Sequence, residues 1–361
     1  MGFMTEHCRR KTRPVFLGKL QIGGGAPVSV QSMTTTDTRD IGKTVTQIRR
    51  LEKAGCEIIR IAVPDEAAAA AVTKIKDNIH IPLIADIHFQ HRLAIVAIQA
   101  GVEGIRINPG NMIKKNIPEV VKAAREHGTV IRIGVNAGSL EKDLLEKHGG
   151  PDADALVESA LRHIHLLEDL DFDKIKVSLK SSDVPVMIRA YQLLSEKVDY
   201  PLHLGVTEAG ALMRATVKSS IGIGTLLYQG IGDTIRVSIT GDPVNEIPVA
   251  YGILRALKIR MVGPDIISCP TCGRCEINLL KLSRAVEKRL AGRKDYLKVA
   301  LMGCVVNGPG EAAEADVGIA GGRGAGMLFR KGKIIRRVKE EDFVEALLAE
   351  IEDIIEKKKE A

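Results

Sequence analysis

The strongest constraint on the fold is a regular alternation between residues 28 and 260 of short β-branched runs with longer amphipathic stretches. Short apolar runs are typical of buried strands, and the stretches between them have helical spacing. A strand followed by a helix, repeated eight times, predicts an α/β fold closed into a (β/α)₈ TIM barrel. An open, doubly wound sheet is the alternative, but no glycine-rich dinucleotide turn is present. The predicted strands are VSVQSM, EIIRIAV, PLIADIH, GIRINPG, VIRIGVN, KIKVSLK, PLHLGVT and DTIRVSIT.

The pattern changes after residue 260, where a smaller domain is expected. KIRMVGPDIIS is interpreted as a connection, EINLLKLSRAVEKRL as a helix, YLKVALMG as a strand, and the last residues as an amphipathic helix. The glycine-rich VGIAGGRGAGMLFRKGK matches neither nucleotide-binding fingerprint, so it predicts tight turns. We therefore predict a TIM-barrel domain over residues 1–262 and an α+β domain over residues 263–361.

Composition narrows the class of partner. The net charge of +7 is compatible with nucleic acid, with a small polyanionic substrate, or with a surface rich in Lys and Glu. Aromatic residues make up only 3%, which argues against nucleic-acid binding by base stacking. No apolar run approaches a membrane span, and the N-terminus lacks the pattern of a signal peptide. We expect a cytoplasmic protein, in which clustered cysteines more often bind metal than form disulfides.

Polar residues lie near the ends of the predicted strands, mostly two apart and therefore on one face. Active sites of barrels lie at this end, and guanidinium groups bind phosphate oxygens in pairs. Because unpaired buried charge is costly, these cations need an anionic ligand or internal salt bridges to Asp86 or Glu208. The strand-end residues are Arg60, Asp86, His88, Arg106, Asn108, Arg132, Asn136, Ser178, Lys180, His203, Thr207, Glu208, Arg236 and Ser238.

Four of the six cysteines occur in the stretches SCPTCGRC and MGCVVNGPGE. Cys269 and Cys272 form a C-x-x-C pair, Cys275 extends it, and Cys304 follows in the second stretch. Spacing alone is compatible with a zinc site of four thiolates, an iron–sulfur cluster, or a redox-active pair. The cluster could use all four thiolates, or three and another group.

The two cysteine stretches, together with VQSMT, ADIHF, IRINPGN, RIGVNAGSL, LGVTEAG and GIGDTIRVS, closely resemble the IspG/GcpE family. The resemblance extends from about Val28 through the glycine-rich segment. It implies an oxidoreductase of the non-mevalonate (MEP) pathway of isoprene biosynthesis. Such enzymes convert 2-C-methyl-D-erythritol 2,4-cyclodiphosphate to 4-hydroxy-3-methylbut-2-enyl diphosphate, consuming two electrons and releasing water.

The resemblance also implies a [4Fe-4S] cluster held by Cys269, Cys272, Cys304 and Glu311, with Cys275 as a bystander. Carboxylate is a more exchangeable ligand than thiolate, so Glu311 is expected at the iron that binds substrate. Ferredoxin or flavodoxin is the implied electron donor. A homodimer is also implied, with the small domain of one subunit over the barrel of the other.

We expect Arg60, Arg106, Arg132 and Lys180 to bind the diphosphate, and the resemblance adds further candidates. Glu208 and Asp86 are the candidate proton donors. The further substrate-binding candidates are His88, Asn108, Asn136 and Ser268. Two other classes remain as alternatives: a barrel enzyme acting on another phosphorylated substrate with structural zinc in its tail, and a basic, zinc-containing nucleic-acid binder.

Overall fold

The computed structural model describes residues 9–108, 114–304 and 312–360. The chain divides into two compact units, residues 1–260 and 261–361. Each unit has its own sheet and its own buried core.

The first unit is a parallel β-barrel surrounded by helices. Within its described residues, eight strands form one sheet in the order β8-β7-β6-β5-β4-β3-β10-β9, and a parallel bridge between Val177 and Leu202 joins the two ends. The strands are β3 (Ser29–Met33), β4 (Ile58–Ala62), β5 (Leu83–Asp86), β6 (Gly104–Ile107), β7 (Val130–Asn136), β8 (Ile175–Lys180), β9 (His203–Leu204) and β10 (Thr234–Ile235). The predicted barrel and each of its predicted strands are confirmed.

Helices follow the strands and cover the outside of the barrel. Aspartate side chains cap several of them; for example, Asp65 accepts a hydrogen bond from Ala68 N. Gly55 ends the first helix with a φ of 104°, a conformation that glycine adopts readily. In this unit the helices are α1 (Ile41–Ala54), α2 (Glu66–Lys76), α3 (His91–Gln99), α4 (Ile117–His127), α5 (Lys142–His148), α6 (Ala153–Glu168), α7 (Val184–Lys197), α8 (Leu212–Tyr228) and α9 (Glu246–Ala256). Among the described residues, none of the helices has the length and apolarity needed to cross a membrane.

A hairpin that the sequence pattern did not predict packs at the N-terminal end of the barrel. Its strands are β1 (Val15–Leu17) and β2 (Leu20–Ile22), paired antiparallel. Leu17 and Ile22 pack with Ile58, Ile84 and Val130, which begin or nearly begin their strands. Apolar contacts therefore fill this end, and the charged strand positions lie towards the other.

The second unit is an α+β domain with a five-stranded sheet in its described residues. The strand order is β11-β12-β13-β14-β15, and β14 runs antiparallel to both β13 and β15. The strands are β11 (Asp265–Ser268), β12 (Lys298–Met302), β13 (Val317–Gly322), β14 (Ala325–Arg330) and β15 (Lys333–Lys339). Two helices, α10 (Leu279–Leu290) and α11 (Phe343–Glu360), pack on one core with it.

One local prediction was wrong in this unit, and another was incomplete. The segment interpreted as a connection contains β11, which pairs with β12 in parallel. The glycine-rich segment contains the predicted tight turns, at residues 323–324 and 331–332, and it also forms β13 and β14, which were not predicted. Strand pairing on both sides outweighs the weak β-propensity of glycine here. Gly318 lies so close to Phe329 that a Cβ atom would not fit, so the small residue permits close packing.

Candidate active site

The inward-facing polar residues of the barrel strands meet in a cavity at the carboxyl end. The cavity has a volume of about 170 Å³. Side chains of consecutive strands are brought together because parallel strands end at the same edge of the barrel. The cavity is lined by Arg60, Asp86, His88, Arg106, Arg132, Asn136, Ser178, Lys180, Thr207, Arg236 and Ser238. Among the described residues, it thus combines several cations with one lining carboxylate.

Asp86 lies between two arginines. Its Oδ1 is 3.3 Å from NH1 of Arg106, and its Oδ2 is 3.6 Å from Nε of Arg60. Burial alone would raise the pKa of the Asp86 carboxyl, but Arg60, the nearby His88 and the charge of Arg106 hold it well below its usual range. Asp86 is therefore an ionised counterion, which makes it a poor proton donor at neutral pH.

Arg106 is fixed in place by several acceptors. NH1 lies 3.0 Å from Nε2 of His88, and NH2 donates to the carbonyl oxygen of Gly134 at 3.2 Å. When the side-chain amide of Asn136 is turned so that its oxygen faces Arg106, that oxygen accepts a hydrogen bond from NH2 of Arg106 at 2.9 Å. A Cβ at position 134 would overlap the guanidinium, so glycine leaves room for Arg106 to lie against the neighbouring strand β7.

Arg132 and Lys180 lack a carboxylate partner among the residues that the structure describes. Arg132 is 1% exposed, and its Nε and NH1 have no hydrogen-bond partner within that part of the chain. Burial, and then repulsion from Arg60 and Arg106, lower the pKa of Arg132. Burial and neighbouring arginines also lower the pKa of Lys180. An anionic ligand would satisfy both cations.

Arg236 is held by a carboxylate that the sequence did not point to. Glu246, at the start of α9, is 2% exposed and lies 3.3 Å from NH2 of Arg236. It also accepts from Ser32 Oγ at 2.7 Å and from the backbone N–H of Ile239 at 3.2 Å. The sulfur of Met33 lies 3.1 Å from Nε of Arg60 and 3.7 Å from NH1 of Arg236. Because Glu246 lies in helix α9, the strand-end pattern could not identify it.

Four further cavity residues were outside our predicted substrate-binding set, although the strand-end pattern contained them. They are Ser178, Thr207, Arg236 and Ser238. The sequence signal that could have identified them is their spacing of two residues from other inward-facing positions on the same strands.

Several predicted site residues do not line this cavity. Glu208 is exposed just beyond β9, with a φ of 53°. Asn108 is buried at the end of β6, where Nδ2 donates to Ser139 Oγ at 3.2 Å. Ser268 is the exposed last residue of β11, in the second unit. Glu311 lies outside the described residues.

The cysteines of the second unit follow two adjacent parallel strands. Cys269 comes directly after β11, and Cys304 lies two residues beyond β12. The N–H of Gly303 donates to the sulfur of Cys269 at 3.2 Å. Cys275 packs against Gly303 and donates its thiol proton to Ile277 O at 3.2 Å. Hydrogen bonds from the backbone and side chain of Arg274 lower the pKa of the exposed Cys272.

The donor chemistry at this edge fits an iron–sulfur group. The four cysteines are free thiols, and an N–H bonded to sulfur is the kind of contact that tunes such clusters. Within residues 9–108, 114–304 and 312–360, no three His, Cys, Asp or Glu side chains converge tightly enough to hold a metal ion. The sequence that follows Cys304, including Glu311, is outside those ranges.

Comparison with known proteins identifies the family. The family model described as the GcpE TIM-barrel domain matches residues 12–251, and the GcpE protein C-terminal domain matches residues 265–353. Among solved structures, the dihydropteroate synthase of Yersinia pestis has a TM-score of 0.48 at 16% identity, over 68% of this chain and 98% of that one. That similarity is too low to support any argument about function.

Similar curated proteins align over nearly their whole length. A protein of Geobacter sulfurreducens is 58% identical over 97% of this chain and 99% of its own. A protein of Caldanaerobacter subterraneus subsp. tengcongensis is 60% identical over 96% of this chain and 98% of its own. Both are named 4-hydroxy-3-methylbut-2-en-1-yl diphosphate synthase (flavodoxin). With both family models matched and relatives at this identity, the chain belongs to the GcpE family.

Proposed function

We propose that this protein is a 4-hydroxy-3-methylbut-2-en-1-yl diphosphate synthase that uses flavodoxin as its electron donor. The substrate is 2-C-methyl-D-erythritol 2,4-cyclodiphosphate. The reaction consumes two electrons and two protons, counted with all phosphate groups protonated. It opens the ring by breaking a carbon–oxygen bond to phosphate, and it releases one water. Family membership and the names of relatives aligned end to end support this assignment. A cytoplasmic location and a homodimer are part of the proposal.

The observation that carries the proposal is the excess of cations in the barrel cavity. Asp86 neutralises part of the charge of Arg60 and Arg106, whereas Arg132 and Lys180 form no ion pair within the described residues. A cyclic diphosphate carries two negative charges on neighbouring phosphates. Such a ligand would supply the acceptors that these buried cations lack.

The proposed roles of the cavity residues follow from their contacts. Arg60 and Arg106, oriented by Asp86, bind diphosphate oxygens with Arg132 and Lys180. Arg236, held by Glu246, is added to this set. His88 and Asn136 contact Arg106 and orient it, and they also face the ligand. Asn108 and Ser268 stay candidates on the strength of the family resemblance.

We assign the cofactor to the cysteine edge of the second unit. Cys269, Cys272 and Cys304, with Glu311 as the fourth ligand, would hold a [4Fe-4S] cluster. When bound, such a cluster supplies single electrons and an iron able to act as a Lewis acid. The free thiols and the N–H bond to Cys269 support this assignment. Cys275, whose thiol proton bonds to a backbone carbonyl, is left out of the ligand set.

Glu208 is the proposed proton donor. Its exposed carboxyl lies just past β9, on the carboxyl side of the barrel strands. Asp86 is the weaker candidate because its neighbouring arginines keep it ionised.

The decisive experiment is turnover of the cyclodiphosphate by anaerobically purified protein. With reduced flavodoxin we expect the allylic diphosphate as product, and a brown protein whose visible absorption bleaches on reduction. A colourless protein that contains stoichiometric zinc and does not convert the cyclodiphosphate would overturn the proposal. That outcome would favour a barrel enzyme of another phosphorylated substrate.

A further inference from the structure

A buried polar layer lies inside the barrel, beneath the cavity. Lys176 is 0% exposed and occupies the same face of β8 as Ser178 and Lys180, which line the cavity. Its register partner on β7 is Arg132. His203 on β9 is likewise 0% exposed. Lys176 therefore lies directly below the cations that face the ligand, without lining the cavity itself.

The ammonium nitrogen of Lys176 has no hydrogen-bond partner among the described residues. In the same part of the chain, Nε2 of His203 is also unpartnered, and its Nδ1 contacts Thr234 Oγ1 at 2.8 Å. Unsatisfied side-chain atoms are rare in protein interiors, and each needs a physical explanation. A positively charged Lys176 would be the most costly of these to leave unpaired.

The charged groups around Lys176 do not compensate a positive charge. The positive charges of Arg132 and Arg60 disfavour protonation of Lys176, and the negative charge of Asp233 favours it. Asp233, however, is engaged elsewhere: Oδ1 accepts from NH2 of Arg9 at 3.1 Å, and Oδ2 accepts from Leu202 N at 2.9 Å. His203 is buried beside several cations and adds no negative charge. The environment therefore favours a neutral amine.

The pKa of Lys176 moves in the same direction as this geometry. Burial is the main cause of its lowering, and Arg132 is the next. Because Arg132 and Arg60 line the cavity, the cations that suppress protonation of Lys176 are those that a diphosphate would neutralise. Negative charge brought close to a buried amine favours its protonated form.

We propose that Lys176 is uncharged in the ligand-free barrel and takes up a proton from solution when an anionic diphosphate binds in the cavity above it. The proposal rests on the proposed function, which supplies the dianionic ligand. No bond in the ligand is made or broken in this step. The proton comes from the buffer, adds to Nζ, and balances part of the incoming negative charge. Lys176 thus acts as a positioning residue that adjusts the charge of the site to its ligand.

Calorimetry can count this proton. The cyclodiphosphate is titrated into the oxidised holoenzyme, without reductant, at about pH 7.5 in buffers that differ in ionisation enthalpy. Each phosphate of the ring has one acidic proton, which is lost far below neutral pH, so the ligand itself exchanges none. The dependence of the binding enthalpy on the buffer then gives the protons taken up per site. We expect net uptake by the wild type.

Two variants isolate the contribution of Lys176. Lys176→Met keeps the length and apolar character of a neutral lysine, and we expect it to take up fewer protons, by up to about one per site. Lys174→Met removes an exposed lysine just before β8 and should match the wild type. Lys176→Met keeps the part of the uptake that Lys180 contributes, because Lys180 is also a buried amine at the site.

The outcomes separate this inference from the function on which it rests. Binding without proton uptake by the wild type, or equal uptake by the wild type and Lys176→Met, would overturn the inference alone. If Lys176→Met does not fold, Lys180→Met decides, because it removes the other buried amine at the site; ligand binding without proton uptake by Lys180→Met would overturn the inference. Absence of cyclodiphosphate binding and turnover would overturn the proposed function, and the inference with it.

Discussion

Asp86 and Arg106 are register partners on adjacent parallel strands, and NH1 of Arg106 lies 3.3 Å from Oδ1 of Asp86. Arg60 approaches the other carboxylate oxygen. One carboxylate therefore orients two arginines before any ligand binds. Arg132, on the next strand, has no such partner among the described residues. The cavity thus has cations positioned in advance, and others that depend on the ligand for compensation.

Replacing Asp86 by Asn should destabilise the protein by about 3 kcal/mol at neutral pH, because it leaves two buried arginines without their counterion. The folded-state pKa of Asp86 is below its unfolded value, so its contribution is present above about pH 4 and is lost as the pH falls through the folded pKa. Urea unfolding at neutral and acidic pH measures this difference. Asp143→Asn removes an exposed partner of Arg162 and should have little effect at either pH. Equal stability of wild type and Asp86→Asn at neutral pH would contradict the counterion role.

Arg132→Met should bind diphosphate more weakly and yet unfold at the same or a higher temperature. Hydrogen bonds from a charged Arg132 to the diphosphate should be worth about 1.5–3 kcal/mol, so their loss predicts roughly a 10- to 100-fold rise in the dissociation constant of the diphosphate. Removing an unpaired buried cation relieves its desolvation cost in the ligand-free protein. Titration calorimetry and thermal melting without ligand test both parts. Arg189→Met, an exposed change on α7, should alter neither quantity. A less stable variant with unchanged affinity would show that Arg132 is structural.

The barrel was predictable because strand and helix periodicities repeat along the chain. The strand-end pattern also included all eleven residues that line the cavity in the described part of the chain, since inward positions two apart share one face. Glu246 was not predictable: it begins a helix, and only folding brings it 3.3 Å from Arg236. The hairpin β1–β2 was missed because its strands are too short to show periodicity. The conversion of the glycine-rich segment into β13 and β14 depends on pairing with neighbours, which local propensity does not report.

The cysteine variants should divide into two groups. Cys269→Ser, Cys272→Ser and Cys304→Ser should lose iron and visible absorption, because each removes a proposed thiolate ligand. Cys275→Ser should keep both, since a serine hydroxyl can also donate to Ile277 O. Iron content and absorption after anaerobic purification measure this directly. Loss of iron from Cys275→Ser would instead indicate a site of four cysteines.

Glu208 and Lys258 are exposed residues with nearly the same left-handed backbone, with φ values of 53° and 55°, and they allow a matched test of function. Glycine at either position relieves roughly 1 kcal/mol of backbone strain, but it also raises the conformational entropy of the unfolded chain. Because the two effects offset each other, neither variant should lose much stability. Glu208→Gly and Glu208→Gln should both lower kcat by roughly 10²- to 10⁴-fold with little change in KM, because each removes the proposed proton donor. Lys258→Gly should turn over normally. Steady-state kinetics and thermal melting together distinguish an effect on backbone strain from an effect on catalysis. Full activity of Glu208→Gln would place the proton donor elsewhere.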